Sequence, residues 1–594
     1  MAMPRFREHA RCGLALGLFC WAAAAGAQSG PDRRHQLLEA DSAFHAGYAA
    51  VDKGDLPAAK EDFQKAVLLA PEIAEGHSAL GAVLLQLGQA DLAIPELERA
   101  LSMRGDDRVA QINLAVAYDQ ARVYDKSLTL FAALERDASA PLPASALIAY
   151  AGALAATQRQ DEAMALMRKA VADTPSDASL HDALGSLEAQ RSAWPEAQAQ
   201  FEEAIALDAN FPGAHEHLGV TLLAEQRTAE AVRELTTANQ LCPQNPTTEI
   251  ELGRALIANG ADDQAIPVLR QALALAPASL DAKYQLALAL QSTGEEQQSI
   301  PLFQEVVEAQ PHNAPALTNL ALALVQTGRS KEGIPLYQRA LAEAPADPLV
   351  HQDLGVAYLQ QSDLDDAVRE FRAGLQLAPG AYELHYNLGL ALKLKDNLPD
   401  ATVELEQAER LNPDSPDPPY TLGILNMQAG HFDEAVRQLK IALKLRPANG
   451  DGWAILGSVY KQQGDLPAAA DALREAIRLL PNQPGPHITL AGVLAQQGKK
   501  DEAAAERKAA AALTQVAVNR QRATFAVNSG NLLLQQNRVA DAIERYQEAV
   551  ASDPTYVEGH RGLADALTRA GRTQEAQSER EKVAQIEKSQ PQKP

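Results

Sequence analysis

Aromatic side chains are scarce in this chain of 594 residues, and its basic residues are outnumbered by acidic ones, 53 to 77. Phe, Trp and Tyr make up only 5% of it, which argues against one large conventional core and favours helices that pack through leucine and small residues. The formal net charge is −24. Nucleic-acid-binding proteins normally present a basic face, and anionic membrane surfaces attract clusters of Lys and Arg. The charge therefore argues against both kinds of partner.

Cysteine is rare as well, since the chain has only Cys12, Cys20 and Cys242. The first two lie in an N-terminal segment that we expect to be removed, so the mature chain would keep one thiol and no internal disulfide. Export does not require disulfides when the fold has a large packed core. Cys242 stands at an expected helix end and could form an intermolecular bridge, but such a residue is more often small, apolar and buried.

The N-terminal residues have the composition of a secretory signal peptide. Three arginines precede an apolar run over residues 12–25, and Ala25 and Ala27 occupy the small-residue positions of a cleavage site. A membrane anchor is the alternative, but about 20 apolar residues are needed to span a bilayer and this run is shorter. The sequence predicts cleavage of residues 1–27 and an exported, periplasmic or secreted protein that starts at Gln28 and does not insert into the membrane.

A period of 34 residues runs through the rest of the chain. Leucine followed by glycine or alanine recurs at this spacing with one longer step, and a proline column and two alanine columns follow it. The leucines of these pairs are Leu80, Leu114, Leu184, Leu218, Leu252, Leu286, Leu320, Leu354, Leu388, Leu422, Leu456 and Leu490. Self-similarity of this kind indicates an array of equal structural repeats.

The repeat over residues 382–415 indicates how one unit folds. Its Leu384, Leu388 and Leu392 are four residues apart, which predicts an amphipathic helix. A second helix follows, with Pro399 near its first turn, where the missing N–H does no harm. Neither helix can bury its apolar face alone, so each repeat needs neighbours.

These columns resemble the tetratricopeptide repeat, a helix-turn-helix with Leu-Gly in helix A and with Ala, an aromatic residue or Leu, Ala and Pro in helix B. Sixteen repeats start at residues 40, 74, 108, 144, 178, 212, 246, 280, 314, 348, 382, 416, 450, 484, 523 and 557. The resemblance implies an all-α fold, a right-handed α-solenoid superhelix with a concave face lined by the A helices. The expected divisions are a linker over 28–39, repeats 1–14 over 40–522, repeats 15–16 with a polar C-terminal cap over 523–590, and a tail over 591–594.

The regular spacing breaks between Gly498 and Gly530, where five extra residues are present. Neither Gly nor Pro occurs between them, and Arg507 takes the place of the aromatic residue of helix B. We therefore expect a lengthened helix, although the sequence leaves open whether residues 499–529 form one continuous helix. The last two repeats would then be a semi-independent tail.

Histidine recurs at the fourth position of a repeat. The seven are His77, His181, His215, His351, His385, His487 and His560. His215 is two residues before His217, which raises the possibility of metal ligands, but residues two apart on a helix point to different faces. A zinc site also needs three or four convergent ligands, and no second cluster accompanies this pair. We expect these histidines to pack between paired helices and to bind no metal.

Motifs of catalytic sites are missing from the sequence. It contains no phosphate-binding glycine loop, no G-x-S-x-G, no H-E-x-x-H and no paired-cysteine motif, and the repeats leave no room for another domain. We therefore expect a scaffold for protein–protein interaction that has no enzymatic activity and no cofactor. Such arrays also serve as recognition arms of glycosyltransferases and in envelope machines that handle polysaccharide or secreted protein, which is the alternative function. A third possibility is end-to-end self-assembly.

Candidate partner-binding residues follow from the resemblance, because positions 2, 5, 6, 9 and 12–13 of helix A commonly face the groove. No repeat has the Lys-x-x-x-Asn pair at positions 5 and 9 with which one groove of the family binds C-terminal carboxylates. Position 2 supplies Glu383, Asp417 and Asp451, position 5 supplies Tyr284, Tyr386 and Tyr420, and position 6 supplies Asn113, Asn319, Asn387 and Asn528. This combination predicts an extended, neutral-to-basic polypeptide as the partner. The alternative is that these scattered side chains only solvate the face.

Overall fold

The structure is a computed structural model that describes residues 31–137 and 140–589. The described residues form 31 α-helices and no β-strand, so the predicted all-α fold is confirmed. The chain divides into two compact units, residues 1–323 and 324–594. The predicted signal peptide over residues 1–27 and the predicted tail over 591–594 lie outside the described residues.

Both compact units are built of helix pairs joined by short turns. The first unit contains α1 Pro31–Lys53, α2 Leu56–Leu69, α3 Ala74–Gln86, α4 Ala90–Met103, α5 Arg108–Gln120, α6 Tyr124–Arg136, α7 Ala144–Ala156, α8 Gln160–Asp173, α9 Ala178–Gln190, α10 Trp194–Leu207, α11 Pro212–Ala224, α12 Thr228–Leu241, α13 Pro246–Ala258, α14 Asp262–Leu275, α15 Leu280–Ser292 and α16 Glu296–Ala309. The division between the units falls within α17, Ala314–Gln326.

The second unit continues the same pairing. It contains α18 Ser330–Glu343, α19 Pro348–Gln360, α20 Leu364–Leu377, α21 Tyr382–Leu394, α22 Leu398–Leu411, α23 Asp417–Gln428, α24 Phe432–Leu445, α25 Gly450–Gln463, α26 Leu466–Leu479, α27 Pro484–Gln496, α28 Lys500–Gln535, α29 Val539–Ser552, α30 Val557–Arg569 and α31 Thr573–Ser589.

One backbone feature of the turn between helices A and B occurs sixteen times, in agreement with the predicted number of repeats. The residue at position 15 of each repeat has a positive φ. These residues are Gly54, Gly88, Arg122, Gln158, Ser192, Gln226, Gly260, Gly294, Gly328, Ser362, Asp396, Gly430, Gly464, Gly498, Asn537 and Gly571. Glycine adopts this conformation without the steric penalty that other residues incur. The turn therefore has the same backbone conformation in every repeat, although seven repeats lack the glycine.

The core of a repeat forms where a large side chain of helix B fills the space left by a small residue of helix A. Gly355, at position 8, lies so close to helix B that a Cβ atom there would come within 2.5 Å of the Phe371 ring. The fully buried aromatic residues at the Phe371 position of other repeats are Phe63, Phe131, Phe201, Phe303, Tyr337 and Tyr546. The Leu-Gly column of helix A is thus explained by close approach of helix B.

The structure corrects the predicted N-terminal linker. Residues 31–39 are helical, because α1 begins at Pro31 and runs into the first repeat. A proline is tolerated at a helix start, where its missing N–H would have no intrahelical partner. Leu37 and Ala40 are buried against Ala70, so the apolar face of the first helix begins before the predicted repeat boundary.

The open question of the helix over residues 499–529 is answered by α28, which is continuous over 36 residues. It serves as helix B of repeat 14 and as helix A of repeat 15. Near its start, Ala503 belongs to a core shared with repeats 13 and 14. From Ala523 onward, its buried residues belong to a second core that includes Tyr546 and Leu563.

Cys242 follows the last residue of α12. Its side chain is half-buried and forms no disulfide in the structure. The expected burial of Cys242 is therefore only partial, because the residue follows the end of helix B.

Candidate partner-binding surface

The fourth-position histidines join helix A to helix B, and five of them also contact the preceding loop. In His385, Nδ1 lies 2.6 Å from Oε2 of Glu404 on helix B, and Nε2 lies 3.0 Å from the carbonyl oxygen of Pro379. The same carboxylate, or a Gln at its position, faces His77, His181, His215, His351, His487 and His560. The prediction that these rings pack between paired helices is confirmed.

His215 and His217 have different surroundings, as expected for residues two apart on a helix. His215 faces Glu234 of helix B at 2.8 Å, whereas His217 faces Asp182 of the preceding A helix at 2.7 Å. Burial lowers the pKa of His217, but the hydrogen bond and charge of Asp182 outweigh it, so the net pKa is raised. Within residues 31–137 and 140–589, no group of three or more metal-ligand side chains converges.

Helix-A side chains at positions 2, 5, 6 and 9 contact one another between successive repeats. We call the surface formed by these positions and by positions 12–13 the A-helix face. On it, the Asn319 amide donates a hydrogen bond of 3.0 Å to the Tyr284 hydroxyl. Arg254 bridges Glu251 of its own helix, at 3.1 Å, and Asp281 of the next repeat, at 2.8 Å. The sequence-predicted pair Tyr284 and Asn319 is thus brought together.

Four residues of the A-helix face in repeats 11–13, together with Tyr382 at position 1, form a second cluster, which we call the tyrosine patch. They are Tyr382, Tyr386, Asp417, Tyr420 and Asp451. The Tyr382 and Tyr386 rings are stacked with their centroids 6.2 Å apart and their planes 14° apart. All three tyrosines are half-buried, so each presents part of its ring to solvent from a fixed position.

The electrostatics of the tyrosine patch tie its members together. Burial raises the pKa of Tyr386; the charge of Asp417 adds to this shift, and a hydrogen bond with Thr421 opposes it. Burial also raises the pKa of Tyr420, and the charge of Asp451 adds to that shift. Both phenol groups are protonated at neutral pH, as ordinary tyrosines are, so they can donate hydrogen bonds to a partner.

The acidic column at position 2 is partly neutralised by arginines of the protein itself. Asp417 accepts a hydrogen bond of 3.0 Å from Arg446, and Glu75 accepts one of 2.7 Å from Arg104. Asp281 is paired with Arg254 in the same way. Glu383 and Asp451 are exposed. The negative charge of this column is thus smaller than the sequence suggests and is concentrated at individual repeats.

The position-6 asparagines have four different environments. Asn113 is buried at 7% exposure, and its amide nitrogen has no hydrogen-bond partner among the described residues. Asn319 is bonded to Tyr284, Asn387 is half-buried beside the tyrosine patch, and Asn528 is exposed on α28. These four side chains therefore do not form a uniform row along the A-helix face.

Three residues that shape the tyrosine patch were not among the site residues predicted from the sequence. Tyr382 stacks on Tyr386 and hydrogen-bonds Ser415 through its hydroxyl at 2.6 Å. Thr421 contacts the Tyr386 hydroxyl, and Arg446 pairs with Asp417. Tyr382 could have been found, because it is one helical turn before Tyr386. The partners on other elements carried no signal in the sequence.

Two sequence profiles described as the tetratricopeptide repeat match this chain. One matches residues 44–108, 112–178, 183–246 and 527–588, and the other matches residues 222–289. The chain belongs to the tetratricopeptide-repeat family. A further profile, described as the C-terminal domain of cilia and flagella-associated protein 70, matches residues 295–527. No curated protein gave a significant match to the tetratricopeptide-repeat chain.

Several solved structures are similar to parts of this tetratricopeptide-repeat protein. YrrB, described as a TPR protein with an unusual peptide-binding site, is 21% identical, with a TM-score of 0.28 over 31% of this chain and 95% of its own. Cut9–Hcn1 of the APC/C is 16% identical, with a TM-score of 0.35, and the match covers 83% of this chain and 96% of that one. MamA from Desulfovibrio magneticus RS-1 is 21% identical, with a TM-score of 0.27, and the match covers 28% of this chain and 94% of that one.

The helices of the described residues are all too short or too polar to cross a bilayer.

Proposed function

We propose that this tetratricopeptide-repeat protein is a non-catalytic scaffold that binds an extended, neutral-to-basic polypeptide along its A-helix face. The tyrosine patch is the observation that carries this proposal. It combines three half-buried aromatic rings with the exposed carboxylate of Asp451, and the half-buried amide of Asn387 lies beside it. Tyrosine offers a large contact area at low entropic cost, and such residues are enriched where proteins bind other proteins.

The chemistry of the patch favours a polypeptide over other partners. Protonated Tyr386 and Tyr420 can donate hydrogen bonds to backbone carbonyls, and the Asn387 amide can both donate and accept. Exposed Glu383 and Asp451 attract positive charge, whereas Arg446 reduces the charge of Asp417. A partner of moderate positive charge fits this balance, with an association rate that falls as salt rises.

The test uses the triple variant Tyr386→Ala, Asn387→Ala, Tyr420→Ala and a control variant, Tyr124→Ala. Tyr124 is also half-buried but lies at the start of helix B, away from the A-helix face. Proteins isolated on immobilised wild type would be identified, and their affinities measured against all three forms. We expect the triple variant to bind at least about tenfold more weakly, as hot-spot aromatic residues do, and the control to bind normally. If the triple variant kept its helicity and bound with the affinity of wild type, the tyrosine patch would be excluded as the binding site.

We also propose that the protein is exported after cleavage of residues 1–27. The arginine-flanked apolar run and the small residues before Gln28 support this proposal. A scaffold at that location would act in assembly or substrate recognition within an envelope machine. N-terminal sequencing of native material should begin at or near Gln28. A native N-terminus that retains the arginines of the first eleven residues would refute the export proposal without affecting the binding site.

A further inference from the structure

An apolar stripe runs along the exposed side of the junction helix α28. Its members are Ala504, Ala511, Val518, Phe525 and Leu532, each seven residues after the one before. Phe525 is 78% exposed, Leu532 56% and Val518 37%. The buried residues of α28, such as Ala503, Ala510, Ala523 and Ala526, lie on other sides of the helix. Residues seven apart lie close to one side of an α-helix, with a drift of about 20° at each step, so the five side chains form one narrow stripe.

Two members of the stripe occupy positions that are buried in almost all other repeats. Phe525 is at position 3 of repeat 15, and Leu532 is at position 10. These two positions are buried in repeats 2–14 and in repeat 16. In those repeats position 3 faces position 28 of the preceding helix B. A Cβ atom on Gly452, for example, would lie 3.0 Å from Leu443. The corresponding distances are 3.4 Å from Gly76 to Val67 and 3.3 Å from Gly559 to Val550.

In repeat 15 this contact is impossible within one chain. The residue at position 28 of the preceding helix B is Ala511, which lies on the same continuous helix as Phe525. Fourteen residues of α-helix separate the two by about 21 Å. The fusion of two helices into α28 therefore leaves both halves of a normal repeat-to-repeat contact exposed.

The sizes of the exposed residues are reversed relative to the rest of the array. Position 28 usually carries a large apolar residue, as in Leu101, Ile205, Leu273, Leu375 and Ile477, and position 3 is mostly small, as in Ala110, Ala214, Ala282 and Gly452. At the junction, helix B presents Ala511 and helix A presents Phe525. The two surfaces are thus complementary to each other in volume, although not to an ordinary repeat.

The other open end of the array is built differently. In repeat 1, positions 3 and 10 are also exposed, but they hold Ser42 and Ala49. Small or polar residues are what a terminal repeat needs for contact with water. Phe525 and Leu532 are large and apolar, so they do not meet that requirement. We therefore expect the stripe on α28 to be covered by another protein surface.

We propose that α28 is a dimer contact at which two copies of this chain pack antiparallel about a two-fold axis through Val518. In this register Leu532 meets Ala504 of the second copy, Phe525 meets Ala511, and Val518 meets its own equivalent. The Leu532–Ala504 and Phe525–Ala511 pairs each unite a large and a small residue, two valines meet at the axis, and the five layers span about 42 Å of helix. Repeat 15 of one copy then packs on repeat 14 of the other with the spacing that every regular repeat uses.

The charged residues of α28 are compatible with this register. Three basic residues lie opposite uncharged ones: Arg507 opposite Ser529, Lys508 opposite Asn528 and Arg522 opposite Thr514. Arg520 is already held within its own chain by hydrogen bonds to Asp553 and Thr555, and it lies over the Tyr556 ring. No like charges face each other directly, and an isologous contact of this kind closes as a dimer and does not propagate.

The test measures the molar mass of the full mature chain by sedimentation or light scattering at several concentrations. Wild type should have twice the mass of one chain. Val518→Glu and Val518→Lys should each weaken the dimer at least about tenfold, because like charges would face each other at the axis. Mixing the two variants should restore the dimer. The control is Val516→Glu, since Val516 is 60% exposed but lies outside the stripe.

A second experiment tests the register by exchanging volumes. Phe525→Ala should leave a gap and Ala511→Phe should cause overlap, so each variant should weaken the dimer, whereas the double variant should recover it. Circular dichroism should stay unchanged, because these side chains are exposed in a single chain. A monomeric wild type, equal effects of Val516→Glu and Val518→Glu, or no recovery on mixing or in the double variant would each overturn the proposal.

Discussion

In seven of the repeats a histidine links helix A to helix B, and His385 is one of five that also contact the preceding loop. His385 is 13% exposed in its side chain and contacts Glu404 on helix B and the Pro379 carbonyl of the preceding loop. The ring therefore holds helix A, helix B and the loop in a fixed relation. Trp453 does part of this in its own repeat, where its indole N–H donates to the Pro447 carbonyl at 2.9 Å.

His385→Ala should lower the free energy of unfolding by about 1–2 kcal/mol, because it removes both contacts and leaves Glu404 without its partner. His431→Ala is the control, since His431 is exposed and its side chain makes no capping bond. Chemical denaturation of both variants measures the difference. Zinc or a chelator should leave the midpoint of wild type unchanged. Similar losses in the two variants would show that the contacts of His385 contribute nothing specific.

Asp353 is a residue whose titration should be visible in the stability of the protein. Burial raises its pKa to about 6, and the nearby charge of Asp347 adds to the shift. Since the unfolded carboxyl group titrates near its ordinary value of about 4, the folded state loses stability as pH rises from about 4 to about 6 and no more above that range.

Asp353→Asn should therefore raise the free energy of unfolding by about 1–2 kcal/mol at neutral pH, with a benefit that disappears as pH falls towards about 4. Thermal unfolding across this pH range measures the effect. Asp161→Asn, at a side chain that is 92% exposed, is the control and should change little. A benefit of Asp353→Asn that is the same at every pH would contradict the assigned cause.

At the scale of the helix, the repeat is defined by how closely helix A approaches helix B. A Cβ atom on Gly389 would lie 2.7 Å from Cγ of Leu405 and 3.4 Å from the carbonyl oxygen of Ala401. Leu405 is fully buried, so it has no space into which to move. This packing explains why the Leu-Gly column recurs at fixed spacing.

Gly389→Ala should destabilise the protein by about 1–3 kcal/mol, the usual cost of overpacking a core. Gly485→Ala is the matched control, because Gly485 is also helical but a Cβ atom there would meet nothing within 4 Å. Alanine favours helix over glycine, so the control should be neutral or stabilising by up to about 1 kcal/mol. Thermal melts of both variants measure the change in stability. Equal changes in the two variants would contradict the assigned role of close packing at Gly389.

The junction helix shows what the element scale adds to the sequence. The absence of Gly and Pro between Gly498 and Gly530 indicated extra helix, and α28 is continuous there. The exposure of Phe525 and Leu532 could not be read from the pattern alone. It depends on the path of α28. Because this helix is continuous, repeat 15 lacks the preceding helix that packs against this side in other repeats.

At the scale of the whole molecule, neighbouring repeats within each unit contact one another, so stability should be a sum over repeats and their interfaces. Deletion of repeat 7, residues 246–279, should leave a shorter protein that unfolds cooperatively with native helicity per residue. Deletion of residues 246–261 alone should expose the apolar face of α14 and cause aggregation. Circular dichroism and light scattering compare the two, and equal unfolding of both would contradict the additive account.

The sequence by itself determined the period, the number of repeats and the alternation of two helices. It could do so because every contact that defines a repeat lies within one period or between neighbouring periods. It also located the tyrosine column and the histidine column, since a position in a repeat fixes the side of the helix on which a residue lies.

Only the tertiary structure decided which of those residues are accessible and paired. Asn113 and Asn528 share position 6, yet one is buried and the other exposed, because exposure depends on the side chains of adjoining repeats. Arg446 neutralises Asp417 from 29 residues away, a contact set by the packing of repeat 12. The open contact on α28 has the same origin: continuity of one helix removes a neighbour that the repeat pattern would have supplied.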